Sequence, residues 1–243
     1  MTTTRTVRFS ESHSVHFEDK PEHDIDVDKN FLNLFHIARD YSMTSKDTMY
    51  ALYSAVNYIL DRNIEGDFVE CGVWKGGSSL LTSLIFQQRG VQNRAVYLFD
   101  TFEGMTPATE DDVDYKGNSG SQMMEDYSDQ SGWCYAHLEK VQETFAEHHF
   151  DFPVNFVKGD VVQTLKREKP EQISILRLDT DWYESTMEEL VQLYPRLSIG
   201  GVLVIDDYGY WEGARKATDE YFRTVPAPLI IRVNHSVRLA IKI

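Results

Sequence analysis

The chain has 243 residues, of which 42% are hydrophobic and 26% are charged, and its formal net charge is −15 at pH 7. These values are typical of a globular domain with a sizeable core. The acidic balance argues against nucleic acid or an anionic membrane as a partner, because both are bound through basic surfaces. Two cysteines offer no disulfide framework, and no apolar stretch is typical of a signal peptide or a membrane span, so we expect a cytoplasmic protein.

The N-terminal part of the chain divides into two segments. Residues 1–28 are polar and charged, and we expect a flexible tail or a strap that orders late. Residues 29–63 carry apolar side chains at spacings of three and four, which predicts helices over "FLNLFHIARDY" and "SKDTMYALYSAVNYILDRN", with Ser45 as the N-cap of the second. We expect these helices to contribute to the core, to an acceptor pocket or to contacts in a homodimer.

From residue 64 to residue 243 short apolar runs alternate with helical segments, which predicts βαβ units and a mostly parallel sheet. The seven runs are "DFVEC", "AVYLFD", "VNFV", "ISILRLD", "GVLVIDD", "PLIIRV" and "VRLAIKI", and the helices are predicted over residues 77–89, 133–148, 185–197 and 213–223. Only "NHS" separates the last two runs, which is too short for a helical crossover, so we predict a C-terminal antiparallel hairpin.

A long polar segment, residues 103–132, lies between the second and third predicted strands of this sheet. Loops of this length inside a compact domain are usually functional or disordered. We interpret the segment as a lid over the site, assisted by Trp133 and Tyr135, with inert disorder as the alternative.

The turn "VECGVWKGGSS" follows the first strand of the sheet and opens a helix. Gly72 allows a tight turn, Gly76 and Gly77 would let the backbone approach a ligand, and Ser78 could bind that ligand. Neither the dinucleotide fingerprint G-x-G-x-x-G nor the phosphate-binding loop G-x-x-x-x-G-K-[ST] is present. Glu70 would repel a pyrophosphate, so the turn favours a ligand that is cationic or neutral at this point.

Acidic residues also follow the next two strands. Asp100 could bind the two hydroxyls of a ribose, and Asp160 could reach an adenine amino group. Together with Glu70 they fall at the carboxyl ends of strands, where open α/β sheets bind ligands.

Four carboxylates follow the fourth and fifth strands of the sheet: Asp179, Asp181, Asp206 and Asp207. Two unit charges about 4 Å apart repel by roughly 4 kcal/mol at an effective dielectric constant near 20. Such a group needs a cation among its members, or some of them must stay protonated. Oxygen ligands select a hard ion, Mg²⁺ before Mn²⁺ or Ca²⁺, whereas a single aspartate could simply cap the next helix.

Four stretches together resemble the macrocin O-methyltransferase family of class I S-adenosylmethionine-dependent methyltransferases. They are "GDFVECGVWKGGSS", "YLFDTFEGM", "LRLDTDWYESTMEELVQLYPRLSIGGVLVIDDYG" and "ARKATDEYF". The resemblance implies a Rossmann-like fold and the methylation of a sugar hydroxyl in antibiotic biosynthesis.

The resemblance also implies roles for particular residues. Mg²⁺ would be held by Asp179, Asp206 and Asp207, and Asp181 would be the general base. S-adenosylmethionine would be bound by a group of residues at the strand ends, namely Glu70, Gly72, Ser78, Asp100, Phe102, Asp160 and Asp179.

Three other functions remain open from the residues alone. Aspartate-nucleophile phosphohydrolases also have a DxD pair, and metal-dependent glycosyltransferases use DxD to hold a nucleotide sugar. The third alternative is a nucleotide-binding module without catalysis. The first two leave the glycine turn unexplained, and the third leaves the four acids without a role.

Overall fold

The computed structural model describes residues 3–8, 14–19, 21–126 and 134–243, which form an α/β domain around a seven-stranded sheet. The strands are β1 (Thr3–Arg8), β2 (Ser14–Asp19), β3 (Asp67–Cys71), β4 (Val96–Asp100), β5 (Val154–Lys158), β6 (Ile173–Leu178), β7 (Leu197–Ile205), β8 (Ile230–Arg232) and β9 (Arg238–Ile241). β1 and β2 pair with each other, and the remaining strands follow the order β5-β4-β3-β6-β7-β9-β8.

Strands β3 to β7 run parallel, whereas β9 is antiparallel to both β7 and β8. All seven strands predicted for the sheet are present, and the predicted C-terminal hairpin is confirmed. The sheet reverses its strand order between β3 and β6, so the carboxyl ends of these two central strands form the crevice in which such sheets bind ligands.

Eight α-helices accompany the strands in the described part of the chain. They are α1 (Lys29–Ala38), α2 (Lys46–Asp61), α3 (Gly77–Gln88), α4 (Gly120–Asp126), α5 (Leu138–Ala146), α6 (Val161–Thr164), α7 (Tyr183–Leu193) and α8 (Glu212–Thr224). Among these helices, none combines the length and the apolar character needed to span a membrane.

Helix α5 starts later than the sequence predicts. The helical pattern begins at residue 133, but Trp133 lies outside the described residues and Cys134 has a φ of +55°. A non-glycine residue in this left-handed region is incompatible with a right-handed helix. The helix therefore begins at Leu138, and the segment before it is free to line the cavities described below.

Alternating side chains of the sheet form two separate cores. On β7, Val202 and Val204 face the cluster that includes residues of α1, α2 and α3, whereas Leu203 and Ile205 face the cluster beneath α6, α7 and α8. Because successive residues of a strand point to opposite faces, a sheet covered on both sides requires continuous apolar runs. This is why the strands could be recognised in the sequence.

The structure places two strands in the segment expected to be a tail. Arg5, on β1, is buried and donates hydrogen bonds to the carbonyl oxygens of Ser42 (2.9 Å) and Thr44 (3.1 Å), and also to that of Arg39. These contacts join β1 to the connection between α1 and α2. Val7 of β1 is also buried in the core, but one apolar side chain beside a buried arginine gives no periodic pattern that would have revealed the strand.

The described part of the predicted lid, residues 103–126, packs against the domain through Trp182. The indole of Trp182 donates to the carbonyl oxygen of Thr106 (2.9 Å) and packs edge-to-face on Trp211, with ring centroids 4.8 Å apart. Asp112, also buried, accepts a hydrogen bond from the backbone N–H of Tyr183 (2.7 Å). Residues 127–132, the rest of the predicted lid, lie outside the described residues.

The glycines of the first turn are required by contacts within the protein. At Gly72, where φ is +82°, a Cβ atom would lie 1.9 Å from the backbone oxygen of Asp179. At Gly76 it would meet the ring of Phe145 (2.8 Å), and at Gly77 the side chain of Ser42 (2.5 Å). The tight turn expected at Gly72 is present, and Gly76 and Gly77, expected to let the backbone approach a ligand, are also closely approached by side chains of the protein itself.

Gly72→Ala should therefore destabilise the protein much more than Gly90→Ala. Both positions have a positive φ, which costs a non-glycine residue about 1–2 kcal/mol. Only Gly72 adds a clash with backbone, since nothing lies within 4 Å of a Cβ atom at Gly90. Thermal unfolding of the two variants measures the difference, and equal melting temperatures would contradict the close approach of the turn to β6.

Candidate active site

A cavity of about 700 Å³ opens at the carboxyl ends of β3, β4, β5 and β6. Its wall includes four of the residues predicted to bind the cofactor, namely Gly72, Asp100, Asp160 and Asp179. The predicted base, Asp181, lies in the same wall. We refer to this space as the main cavity.

Asp100 shapes the turn that borders the main cavity. Its carboxylate accepts hydrogen bonds from the backbone N–H groups of Val73 (2.6 Å), Trp74 (2.9 Å) and Phe102 (2.6 Å). Burial raises the pKa of Asp100, and the three N–H donors oppose this shift by stabilising the charged form. The residue thus holds both the turn after β3 and its own loop in place while lining the cavity.

The other three predicted cofactor residues lie outside the cavity wall. Glu70 is 1% exposed, and its carboxylate is bonded by Arg177 (2.7 Å) and by the hydroxyl group of Ser79. Ser78 and Phe102 are also buried, 2% exposed each. The chain places Glu70 where it can neutralise an internal cation, an arrangement that the sequence alone did not indicate.

Three carboxyl groups lie close together at the ends of β6 and β7. Oxygen atoms of Asp179, Asp181 and Asp207 all lie within 4.8 Å of one another. Burial, together with repulsion from the neighbouring acids, raises the pKa of all three, that of Asp181 to about 8. A hydrogen bond joins the carboxyl groups of Asp181 and Asp207, so these two share a proton at neutral pH.

This group differs from the predicted set of metal ligands in one member. Asp179 and Asp207 belong to both, but Asp181 takes the place of Asp206, whose carboxylate is bonded by Arg177. The group suits a hard dication, because it offers only oxygen atoms and such an ion holds opposite ligands roughly 4–5 Å apart. One oxygen of Asp207, Oδ2, is buried without a hydrogen-bond partner among the described residues.

Arg177 is the positive charge that the four acids require. Its side chain is 1% exposed, and its guanidinium group contacts Glu70 (2.7 Å), Asp179 (2.6 Å) and Asp206. It also donates to the hydroxyl of Thr44 (3.1 Å). The planar guanidinium has five donors and remains charged when buried, whereas a buried lysine readily loses its proton.

The sheet register brings Arg177 to this position. Arg177 lies directly opposite Glu70 in the pairing of β6 with β3. Alternation along β6 puts it on the same face as Asp179, two residues further on. A charged residue inside the otherwise apolar run "ISILRLD" is the signal that could have identified it, since a buried arginine must have carboxylate partners.

Glu189 supports the segment between the two central aspartates. It is completely buried on α7, and one of its oxygens accepts a hydrogen bond from the hydroxyl of Thr180 (2.9 Å). Burial raises the pKa of Glu189 to about 8. The same segment contains Asp181 with a φ of +68°, a conformation that needs such local support.

The strand order, the terminal hairpin and the cavity at the carboxyl ends of the central strands define a class I methyltransferase fold. The family described as Macrocin-O-methyltransferase (TylF) matches residues 1–235, and the chain belongs to this family. It is therefore an S-adenosylmethionine-dependent O-methyltransferase. This membership decides against the phosphohydrolase, the glycosyltransferase and the non-catalytic module.

Two curated relatives act in different antibiotic pathways. Demethyldecarbamoylnovobiocin O-methyltransferase of Streptomyces niveus is 31% identical over 185 residues, covering 76% of this chain and 68% of the relative. Mycinamicin III 3''-O-methyltransferase of Micromonospora griseorubida is 31% identical over 182 residues, covering 74% of this chain and 70% of the relative.

Solved structures agree with the fold. The O-methyltransferase NovP superposes with a TM-score of 0.73 at 29% identity, covering 83% of this chain and 82% of NovP. The calicheamicin methyltransferase CalS11 has a TM-score of 0.58 at 16% identity, covering 93% and 94% of the two chains, which supports the fold alone.

Replacing Arg177 by methionine should strongly destabilise the protein. The change leaves Glu70, Asp179 and Asp206 without their shared cation, and breaking one side of a buried ion pair costs about 3–5 kcal/mol. Burial already raises the pKa of Glu70 and of Asp179, and loss of the guanidinium group raises both further, so the remaining stability falls as the pH rises above the unfolded values of about 4. Chemical denaturation at two pH values measures both effects.

The matched control is Arg89→Met. Arg89 pairs with Asp61 at 2.6 Å, but both side chains are well exposed, at 40% and 62%. Exposed pairs contribute about 0–1 kcal/mol, so this variant should unfold almost like the parent protein at both pH values. Similar losses in the two variants would contradict the central position assigned to Arg177.

Proposed function

We propose that this enzyme transfers the methyl group of S-adenosylmethionine to a sugar hydroxyl of a glycosylated natural product, and that the transfer depends on Mg²⁺. The proposed dependence on Mg²⁺ is supported by the grouping of Asp179, Asp181 and Asp207 beside the main cavity. The acceptor class is supported by the relatives, whose names include an antibiotic 3''-O-methyltransferase and a rhamnosyl-tetracenomycin 4'-O-methyltransferase.

Two groups of residues at the strand ends have different roles: one binds the cofactor, and the other binds the metal ion and accepts the proton. Gly72, Asp100 and Asp160 line the part of the main cavity assigned to the nucleoside of S-adenosylmethionine, with the two acids as acceptors for hydroxyl or amino groups. The indole N–H of Trp74, which is 7% exposed and also lines the cavity, has no partner among the described residues and can donate to a ligand. When bound, the cofactor supplies the reactive methyl group, so the protein needs no nucleophile of its own.

Asp179 and Asp207 would hold the metal ion, and Asp206 would be the third ligand, since Arg177 bonds only one oxygen of Asp179 and one of Asp206 in the described part of the chain. Bound Mg²⁺ would act as a Lewis acid that lowers the pKa of a hydroxyl group. Asp181 lies in the cavity wall beside these ligands, and it would accept the proton of the acceptor hydroxyl once the metal ion has displaced the proton that it shares with Asp207. Holding both reactants at one strand edge could contribute on the order of 7–11 kcal/mol to the acceleration.

The proposal is tested by methyl transfer to mycinamicin III and to demethyldecarbamoylnovobiocin, read by mass spectrometry with and without Mg²⁺. We expect a methylated product from at least one glycosylated acceptor, and we expect EDTA to abolish the reaction until Mg²⁺ is restored. Methyl transfer that continues in EDTA would exclude the metal. Failure to bind S-adenosylmethionine in a calorimeter would overturn the proposal as a whole.

Asp181→Asn should retain cofactor binding and lose most of the turnover. The amide is similar in size to the carboxylate but cannot accept the proton, and general-base catalysis typically contributes about 10²–10⁴-fold. Calorimetry with S-adenosylmethionine and single-turnover assays separate binding from chemistry. Asp219→Asn is the matched control, because Asp219 lies on α8 and bonds only the hydroxyl of Tyr208 (2.8 Å). Normal turnover in Asp181→Asn would contradict its role as the base.

Mg²⁺ should raise the melting temperature more at about pH 8 than at about pH 6, because protons compete with the ion for the carboxylates. The raised pKa values mean that the folded protein binds more protons than the unfolded chain between about pH 4 and pH 8. Without the ion, stability therefore falls as the pH rises through this range. Scanning fluorimetry measures the shifts, and Asp179→Ala should abolish the response to Mg²⁺ together with activity.

A further inference from the structure

A second cavity, of about 910 Å³, lies next to the main cavity, and we call it the side cavity. Three segments of the chain contribute to both spaces. Trp74 lines the main cavity, and its neighbour Lys75 lines the side cavity. Likewise, Cys134 lines the main cavity, and its neighbour Tyr135 lines the side cavity. Met43 lines the main cavity, whereas Asp40 and Tyr41 line the side cavity, so the same three segments of the chain border both spaces.

The shared wall is held rigidly at Trp74. The backbone N–H of Trp74 is bonded to Asp100, and the ammonium group of Lys75 lies 4.3 Å from the centroid of the indole ring. A cation over the face of an indole is attracted by its quadrupole. The wall therefore presents an aromatic ring to the cofactor side and a positive charge to the side cavity.

The lining of the side cavity combines aromatic rings with charges of both signs. Tyr41 and Tyr135 are half-buried, and the acidic groups of Asp40, Glu143 and Glu147 lie near its rim. Two lysines, Lys75 and Lys140, also line the cavity, and Lys140 is paired with Glu143 (2.6 Å). The charges of the lining therefore nearly balance, and the cavity offers no strong excess of either sign to a charged ligand.

Lys75 offers donors for a ligand oxygen. It is half-buried, and its one polar contact in the described part of the chain is the carbonyl oxygen of Arg8 at 3.2 Å. Burial lowers the pKa of Lys75, which has no carboxylate partner within the described residues. Tyr135 already bonds the ring of His137 (2.8 Å), so the two side chains are oriented together at the entrance.

A neutral polyhydroxylated ligand satisfies all of these features. Hydroxyl groups can donate to the carboxylates and accept from the lysines, and the apolar face of a sugar ring packs on aromatic side chains. The geometry points to the side cavity as the subsite for a neutral saccharide portion of the acceptor that is not itself methylated. This inference rests on the proposed function, which places the methylated hydroxyl beside Asp181 in the main cavity.

Thr144→Trp tests the subsite by filling it. Thr144 is half-buried on α5 and lines the side cavity. It does not line the main cavity, where the predicted cofactor residues and Asp181 lie. The probe is methyl α-L-rhamnopyranoside, observed by saturation-transfer NMR with the S-adenosylmethionine-bound protein. We expect binding to the parent protein and at least about a tenfold loss in the variant, with unchanged calorimetric affinity for S-adenosylmethionine. Thr224→Trp, at an exposed position on α8, is the matched control and should bind the probe normally.

Charged sugars separate the possible ligand classes. Galacturonic acid and glucosamine should bind the parent protein more weakly than the neutral rhamnoside, and preference for either would overturn the assignment to a neutral saccharide. Equal binding of the rhamnoside to Thr144→Trp and to the parent would overturn the subsite itself. A parent protein that fails to bind S-adenosylmethionine would instead refute the proposed function, so the two failures are distinguishable.

A second variant keeps the test decisive if Thr144→Trp unfolds. Lys75→Met removes the ammonium donor while preserving the length of the side chain. Loss of a hydrogen bond from a charged group should weaken rhamnoside binding by roughly tenfold or more. Lys166→Met, at an exposed position outside both cavities, is its control. Unchanged rhamnoside binding in Lys75→Met would contradict the role assigned to the side cavity.

Discussion

The buried guanidinium group of Arg177 is the interaction on which the site depends. Four acidic side chains meet at the ends of two neighbouring strands, and without a cation their repulsion would oppose folding. Arg177 binds Glu70, Asp179 and Asp206, which leaves Asp181 and Asp207 to share a proton. The protein thus carries an internal counter-charge for part of the cluster, and the remaining oxygens are those best placed to receive an external cation.

The parallel sheet explains why the residues predicted to bind the cofactor lie beside the acids. Parallel strands end at the same edge, so residues that are widely separated in the chain line one cavity. Asp100 and Gly72 illustrate two physical requirements of this edge. The carboxylate of Asp100 collects three backbone N–H groups, and the missing side chain of Gly72 allows the turn after β3 to contact the end of β6. The same contacts that build the cofactor side therefore fix the position of Asp179.

We expect the residues that make this enzyme choose a different acceptor from its relatives to lie outside the strand ends just described. Family membership establishes O-methyl transfer, whereas substrate recognition in α/β enzymes depends on loops and insertions. In this chain Trp182 packs under the described part of the insert instead of lining the main cavity. The segment before α5 and the connection after α1 form the wall of the side cavity. These parts, which follow no simple periodicity, are where a particular acceptor would be selected.

The sequence by itself determined the seven strands, the terminal hairpin and the family, because buried strands need continuous apolar runs and the motifs follow the strand ends. It also indicated that acids from two strands would meet. Only the tertiary structure decided which of them do so, and that Arg177 and Glu70 neutralise each other within the core. The pairing of β1 with β2 and the late start of α5 also emerged only there. The physical reason is that strand register and side-chain direction, set by packing of the whole sheet, determine distances of a few ångströms between charges that are far apart in the chain.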